Sequence, residues 1–169
     1  MTATLTGAPP AIGEESRTHG LSLAAGTLTA LLGVFGLVTG AQAVFGSPRS
    51  LHIGWLLPLS GVQLDLDALG GFFMTLTGAV AVPVGVYAIG YARREHLGRL
   101  SVAMMPLFTA AMLLVPAAGS VTTFLLAWEL MAVASLILVV TDHARADARS
   151  AGLTYAVMTQ LGFVAILVG

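Results

Sequence analysis

The 169 residues contain no cysteine and no lysine, and the seven arginines and eight acids together make up only 9% of the chain. Without cysteine there is no disulfide framework, no thiolate nucleophile and no cysteine-ligated metal or iron–sulfur centre, so any redox centre the protein serves belongs to another subunit. A net charge of −1 and a pI near 6.4 give no basic field, which sets nucleic acid aside as a partner. No Gly-rich phosphate loop follows a strand, and the four histidines, His19, His52, His96 and His143, are scattered without ligand spacing. The residues show no quinone, nickel, flavin, nucleotide or metal site, and no cofactor is expected in this chain.

What the chain has in excess is apolar sequence: 57% of its residues are hydrophobic and the mean hydropathy is +0.93. That is far beyond a soluble domain of this length. The chain reads as an all-α integral membrane protein, a multi-pass bundle in the cell (inner) membrane. Five runs, at 22–44, 69–92, 101–117, 120–140 and 151–169, are each long enough to cross a hydrocarbon layer, which takes about 20 helical residues. They form a bundle over 21–169, preceded by a polar tail over 1–20 with Pro9-Pro10 and Glu14-Glu15, and interrupted by an external segment over 45–68.

The arginines set the orientation, because the side richer in Lys and Arg is normally cytoplasmic. The tail and the second and fourth connections hold Arg17, Arg93, Arg94, Arg99, Arg145 and Arg149; the first connection holds Arg49 and the third none. The amino terminus is therefore expected inside. Arg17, the apolar run from Leu21 and Ala41-Gln42-Ala43 together resemble a cleaved secretory signal, but the run is too long for one. Its glycines are also patterned: Gly26, Ala30, Gly33 and Gly40 fall near one helical face, and Gly36 with Gly40 forms a small-xxx-small pair that lets a neighbouring helix approach. The fifth span runs outward and stops at Gly169 without a polar flank, so the sequence reads as a fragment of something longer. Pro83 and Pro106 are expected to kink the second and third spans. Tyr87 and Tyr91 read as interfacial anchors, and Met104, Met105 and Met112 as packing residues.

Glu129 is the only charged residue between Ser101 and Thr141. An ionised side chain at the centre of a membrane helix costs about 2.5–3.5 kcal/mol on the lenient insertion scale. Counting from Ser120 at about 1.5 Å per residue puts Glu129 close to the bilayer midplane, the costliest depth. On its own helical face Thr122, two turns away, is the polar neighbour. Its partner is expected from the fifth span, where Tyr155, Thr159 and Gln160 lie at matching depth. A carboxylate, an amide and hydroxyls on consecutive helices make a candidate proton relay, linked through buried water. The alternative is a neutral, hydrogen-bonded glutamate that holds helices together. Asp142 and His143, at the inner end of the fourth span, are candidates for proton entry or simply solvated loop residues.

The stretch Phe124-Leu-Leu-Ala-Trp-Glu-Leu-Met131 resembles the Trp-Glu helix of the antiporter-like subunits shared by respiratory complex I, membrane-bound hydrogenases of the hydrogenase-4 and formate hydrogenlyase type, and multisubunit cation/proton antiporters. Three further stretches resemble the same family in the same order: Leu66-Asp-Ala-Leu-Gly-Gly-Phe-Phe73 its entry into a helix after an external hairpin, Tyr87-Ala-Ile-Gly-Tyr91 the inner end of that helix, and Tyr155-Ala-Val-Met-Thr-Gln160 the helix after the glutamate. The resemblance covers residues 55–169. It implies that Glu129 belongs to a chain of buried ionisable groups carrying protons across the membrane. It also implies a lysine on the next helix, and this chain has none and stops before that helix begins. The expected function is a proton-translocating antiporter-like subunit, or its amino-terminal part, in a membrane-bound NADH-quinone oxidoreductase or hydrogenase complex. Its partners would be other membrane subunits and the lipid bilayer. A sodium/proton antiporter subunit and a non-catalytic or vestigial scaffold remain as alternatives. Accessibility labelling of intact membranes should find Arg49 on the outer face and Arg94 on the inner; the opposite pattern inverts the topology and the depth assigned to Glu129.

Overall fold

A computed structural model of the chain describes residues 12–46, 49–54, 61–94, 99–140 and 146–168. Five helices, α1 Ile12–Phe45, α2 Ala68–Arg94, α3 Arg99–Leu114, α4 Val121–Val139 and α5 Ala146–Val168, account for nearly all of it. Each, α3 together with the turn Val115–Ala117 that follows it, contains a stretch long and apolar enough to cross a membrane. Strands β1 Arg49–Ile53 and β2 Val62–Leu66 form an antiparallel hairpin between α1 and α2. The protein is an all-α integral membrane bundle, with one short hairpin among the described residues. Helix α1 starts at Ile12, well inside the stretch read as a polar tail, and the third span ends as helix at Leu114, with a 3₁₀ turn over Val115–Ala117. Both α2 and α3 continue through their prolines, Pro83 and Pro106.

Burial is inverted relative to a soluble protein. The most enclosed side chains are small, among them Ala25, Ala43, Ala111, Ala127 and Ala134, whereas Leu31, Phe35, Phe72, Leu76 and Leu153 face outward. Lipid tails solvate leucine as well as another helix does, so helices associate where small residues let backbones meet. The α1–α2 pair, the most extensive contact in the fold, does this along its whole length. Gly26, Gly33 and Gly40 on α1 meet Gly85, Gly78 and Gly71 on antiparallel α2, with seven-residue spacing on both helices. A Cβ on Gly78 would lie 2.3 Å from the Leu37 amide nitrogen and 2.5 Å from the Gly33 carbonyl oxygen; one on Gly40 would lie 2.6 Å from the Gly71 oxygen; one on Gly85 would lie 2.7 Å from the Gly26 oxygen. No side chain fits in these gaps.

Two threonine hydroxyls in this interior are closed on their own helices. Fully buried Thr29 donates its hydroxyl to Ala25 O at 2.8 Å, and Thr75 donates to Gly71 O at 2.7 Å. This removes the cost of an unpaired hydroxyl in a dry environment.

The hairpin is fixed to the start of α4. Its register pairs Arg49 with Leu66 and Ile53 with Val62, and Gly61, at φ 65, supplies the left-handed residue that β2 needs at its start. Strand β2 then gains a second neighbour, because Leu64 bridges to Ala118 and Gly119 N–H donates to Gln63 O at 2.8 Å. Gln63 N–H in turn donates to the Thr123 hydroxyl at 3.0 Å. Helix α2 starts on the carboxylate of Asp67, which accepts from Gly70 N–H at 2.7 Å. Helix α5 packs chiefly along α4 and is the least enclosed of the five. Replacing Gly78 by valine should destabilise the solubilised protein by about 1–3 kcal/mol or more. Gly90→Ala, at a position with nothing within 4 Å, should be neutral or stabilise by up to about 1 kcal/mol. Thermal unfolding in detergent reads both, and equal effects would remove the glycine ladder as the basis of the α1–α2 contact.

Candidate functional site

Helix α4 is started by Ser120, whose hydroxyl accepts from Thr123 N–H at 3.2 Å and is bonded to the Thr123 hydroxyl at 2.8 Å. Since Thr123 also holds Gln63, the same cap fixes the helix against the hairpin and sets its height. Within α4, Thr123, Ala127 and Ala134 are buried, while Thr122, Leu126, Leu130 and Val133 are exposed. Glu129 stands between these faces, half-buried and next to the middle of the 19-residue helix. Trp128 packs its ring against Phe124, centroids 5.8 Å apart. Its indole nitrogen is buried with no hydrogen-bond partner among the described residues.

The partner of Glu129 comes from α5. The Gln160 side-chain amide donates to both carboxylate oxygens, at 3.4 and 3.3 Å. Charge-assisted bonds to a carboxylate normally close to about 2.7–2.9 Å. Gln160 therefore engages the group loosely and takes up about half of its roughly four acceptor positions. The carboxylate keeps acceptor positions open for a further donor.

A second polar link joins the same helices six residues further along α4. Ser135 donates to Ala132 O at 3.0 Å, which leaves its oxygen to accept the Tyr155 hydroxyl in a very short bond. The phenol, the serine and a backbone carbonyl thus form a short donor chain directed into α4. Ser135 did not stand out in the sequence, although it is a lone hydroxyl in the apolar run one and a half turns from Glu129, at the depth where Tyr155 falls. Thr159 is turned onto its own helix, donating to the carbonyls of Tyr155 and Ala156, both at 3.0 Å. Thr122 is exposed, and no hydrogen bond joins it to Glu129. Asp142 and His143 lie outside the described residues. Among the described residues no three His, Cys, Asp or Glu side chains gather as metal ligands. The arrangement can pass a proton or hold helices together.

Residues 118–169, which hold Glu129, Ser135, Tyr155 and Gln160, match the family described as NADH:quinone oxidoreductase/Mrp antiporter, transmembrane. The chain is 28% identical over 131 residues to NADH-quinone oxidoreductase subunit L of Mycobacterium tuberculosis, covering 73% of this chain and 20% of that one. It belongs to the antiporter-like membrane subunit family. An uncharacterised protein of the same organism is 70% identical over 146 residues, 86% of this chain and 23% of that protein. The probable inorganic carbon transporter subunit DabB1 of Halothiobacillus neapolitanus is 31% identical over 113 residues, 67% of this chain and 19% of its own. The chain thus spans about a fifth of the length of these family relatives. Within it, the α4–α5 contact, with Glu129, Ser135, Tyr155 and Gln160, lies inside the matched segment. Combining Ser135→Ala with Tyr155→Phe in a double-mutant cycle should give a coupling of about 0.6 kcal/mol and at most about 1.7. Unfolding in mixed micelles measures it, and zero coupling would show that the two hydroxyls do not meet.

Proposed function

We propose that the chain is part of a proton-translocating antiporter-like subunit, docked among other membrane subunits of a membrane-bound NADH-quinone oxidoreductase or hydrogenase complex. The observation that carries this reading is one ionisable carboxylate at mid-helix, loosely held by a neutral amide, inside the segment that matches the family. A carboxylate locked by strong bonds would stay in one charge state. Glu129 is held weakly enough to change. In a medium of low dielectric, a charge appearing or disappearing in a neighbouring subunit alters the proton affinity of such a group, and the proton then steps on or off.

The match to a family named for both quinone oxidoreductases and antiporters favours one further reading, a subunit of a multisubunit sodium/proton antiporter. Sodium dependence of transport and the identity of co-purifying subunits separate the two.

Glu129→Gln keeps the size of the side chain and one acceptor oxygen for Gln160 but removes its titration. In the complete complex, reconstituted into vesicles, this variant should assemble normally and lose proton pumping. Pumping at the wild-type rate would refute the relay. Loss of assembly with no pumping step affected in the residual complex would instead make Glu129 a structural link between helices.

A further inference from the structure

A groove of about 520 Å³ opens between α1, the hairpin and the adjoining end of α3, within the roughly 300–1,000 Å³ range of ligand sites. Phe35, Leu51, Leu64 and Leu113 give it apolar walls, and Thr39, which also lines it, has already committed its hydroxyl proton to Phe35 O and the Met74 sulfur. Arg49 is the one charged residue in the lining. Side chains alternate between the two faces of a strand, so the register places Arg49, Leu51, Leu64 and Leu66 on the groove side and Asp65 on the other. Asp65 lies against Gly119, and Asp67 caps α2. Among the described residues no ion pair neutralises Arg49: Asp67 is taken up by the α2 cap, and Asp65, paired in register with Ser50, is not in the groove lining.

The groove also has the dimensions of one leaflet. Arg49 is four residues beyond the end of α1 at Phe45, and the apolar wall reaches back along α1 to Leu32. That is roughly 20 Å of helix rise, against about 15 Å for half of the hydrocarbon core. An unpaired guanidinium at the interface end of an apolar slot running into the hydrocarbon matches one chemistry: a phosphate with an acyl chain below it. The geometry points to a binding site for an anionic phospholipid, its phosphate on Arg49 and one acyl chain along Phe35 and Leu113. The bound lipid fills the gap between the hairpin and the helices and fixes the hairpin, and through it the start of α4.

The test uses the full chain in phosphatidylcholine vesicles doped with phosphatidylglycerol carrying a photoactivatable group in mid-chain. Cross-links should map to the segments containing Phe35 and Leu113. Arg49→Gln should lower the yield about fivefold, and Ala110→Phe, which fills the slot, should lower it as well. In the unaltered protein, unlabelled phosphatidylglycerol should displace the probe better than phosphatidylcholine does. Equal displacement by the two lipids, or the same yield in all three proteins, overturns the site.

Discussion

In lipid, two helices gain little by hiding leucines from a solvent that is itself hydrocarbon. What holds α1 to α2 is direct backbone approach, made available by three glycines on each helix at the same seven-residue interval. Everything else is placed relative to that pair. Helix α3 lies against α1, α4 against α3, and α5 against α4, so the order of packing carries position outward from a rigid seam to the most exposed helix.

The second fixed point is where the hairpin meets the start of α4. Strand β2, the Ala118–Gly119 corner and the Ser120–Thr123 cap are tied together by hydrogen bonds of 2.8–3.2 Å. They fix the start of α4 against the hairpin, and so where Glu129 stands relative to it. A carboxylate in the middle of a membrane helix needs a polar neighbour, and Gln160 supplies it.

Apolar run length made the five spans legible, because runs of 17 to 24 residues with at most one charge are long enough to cross a hydrocarbon layer as helix. Run length does not mark where a helix ends in polar sequence, which is why α1 extends back to Ile12 and why the third span closes as a 3₁₀ turn. Glu129 was conspicuous as a lone charge, and its neighbour Gln160 falls at the same depth by simple counting. Ser135 was not, since a serine in an apolar helix usually bonds its own backbone; only the position of Tyr155 in space shows its second role. The glycines of α1 were legible as a face, whereas their counterparts on α2 gain meaning only once the helices are seen to run antiparallel in register. Hydroxyls such as that of Thr159 show the opposite limit: residue type and depth do not say which way a side chain turns.

Gln160 differs from every other polar side chain available at that depth in carrying a donor and an acceptor on one planar group. Facing a carboxylate it presents nitrogen; facing a carboxylic acid it can swing half a turn about its last bond and present oxygen. Were Glu129 to gain or lose a proton, this residue would turn with it as a weathervane does, on the open side of α5.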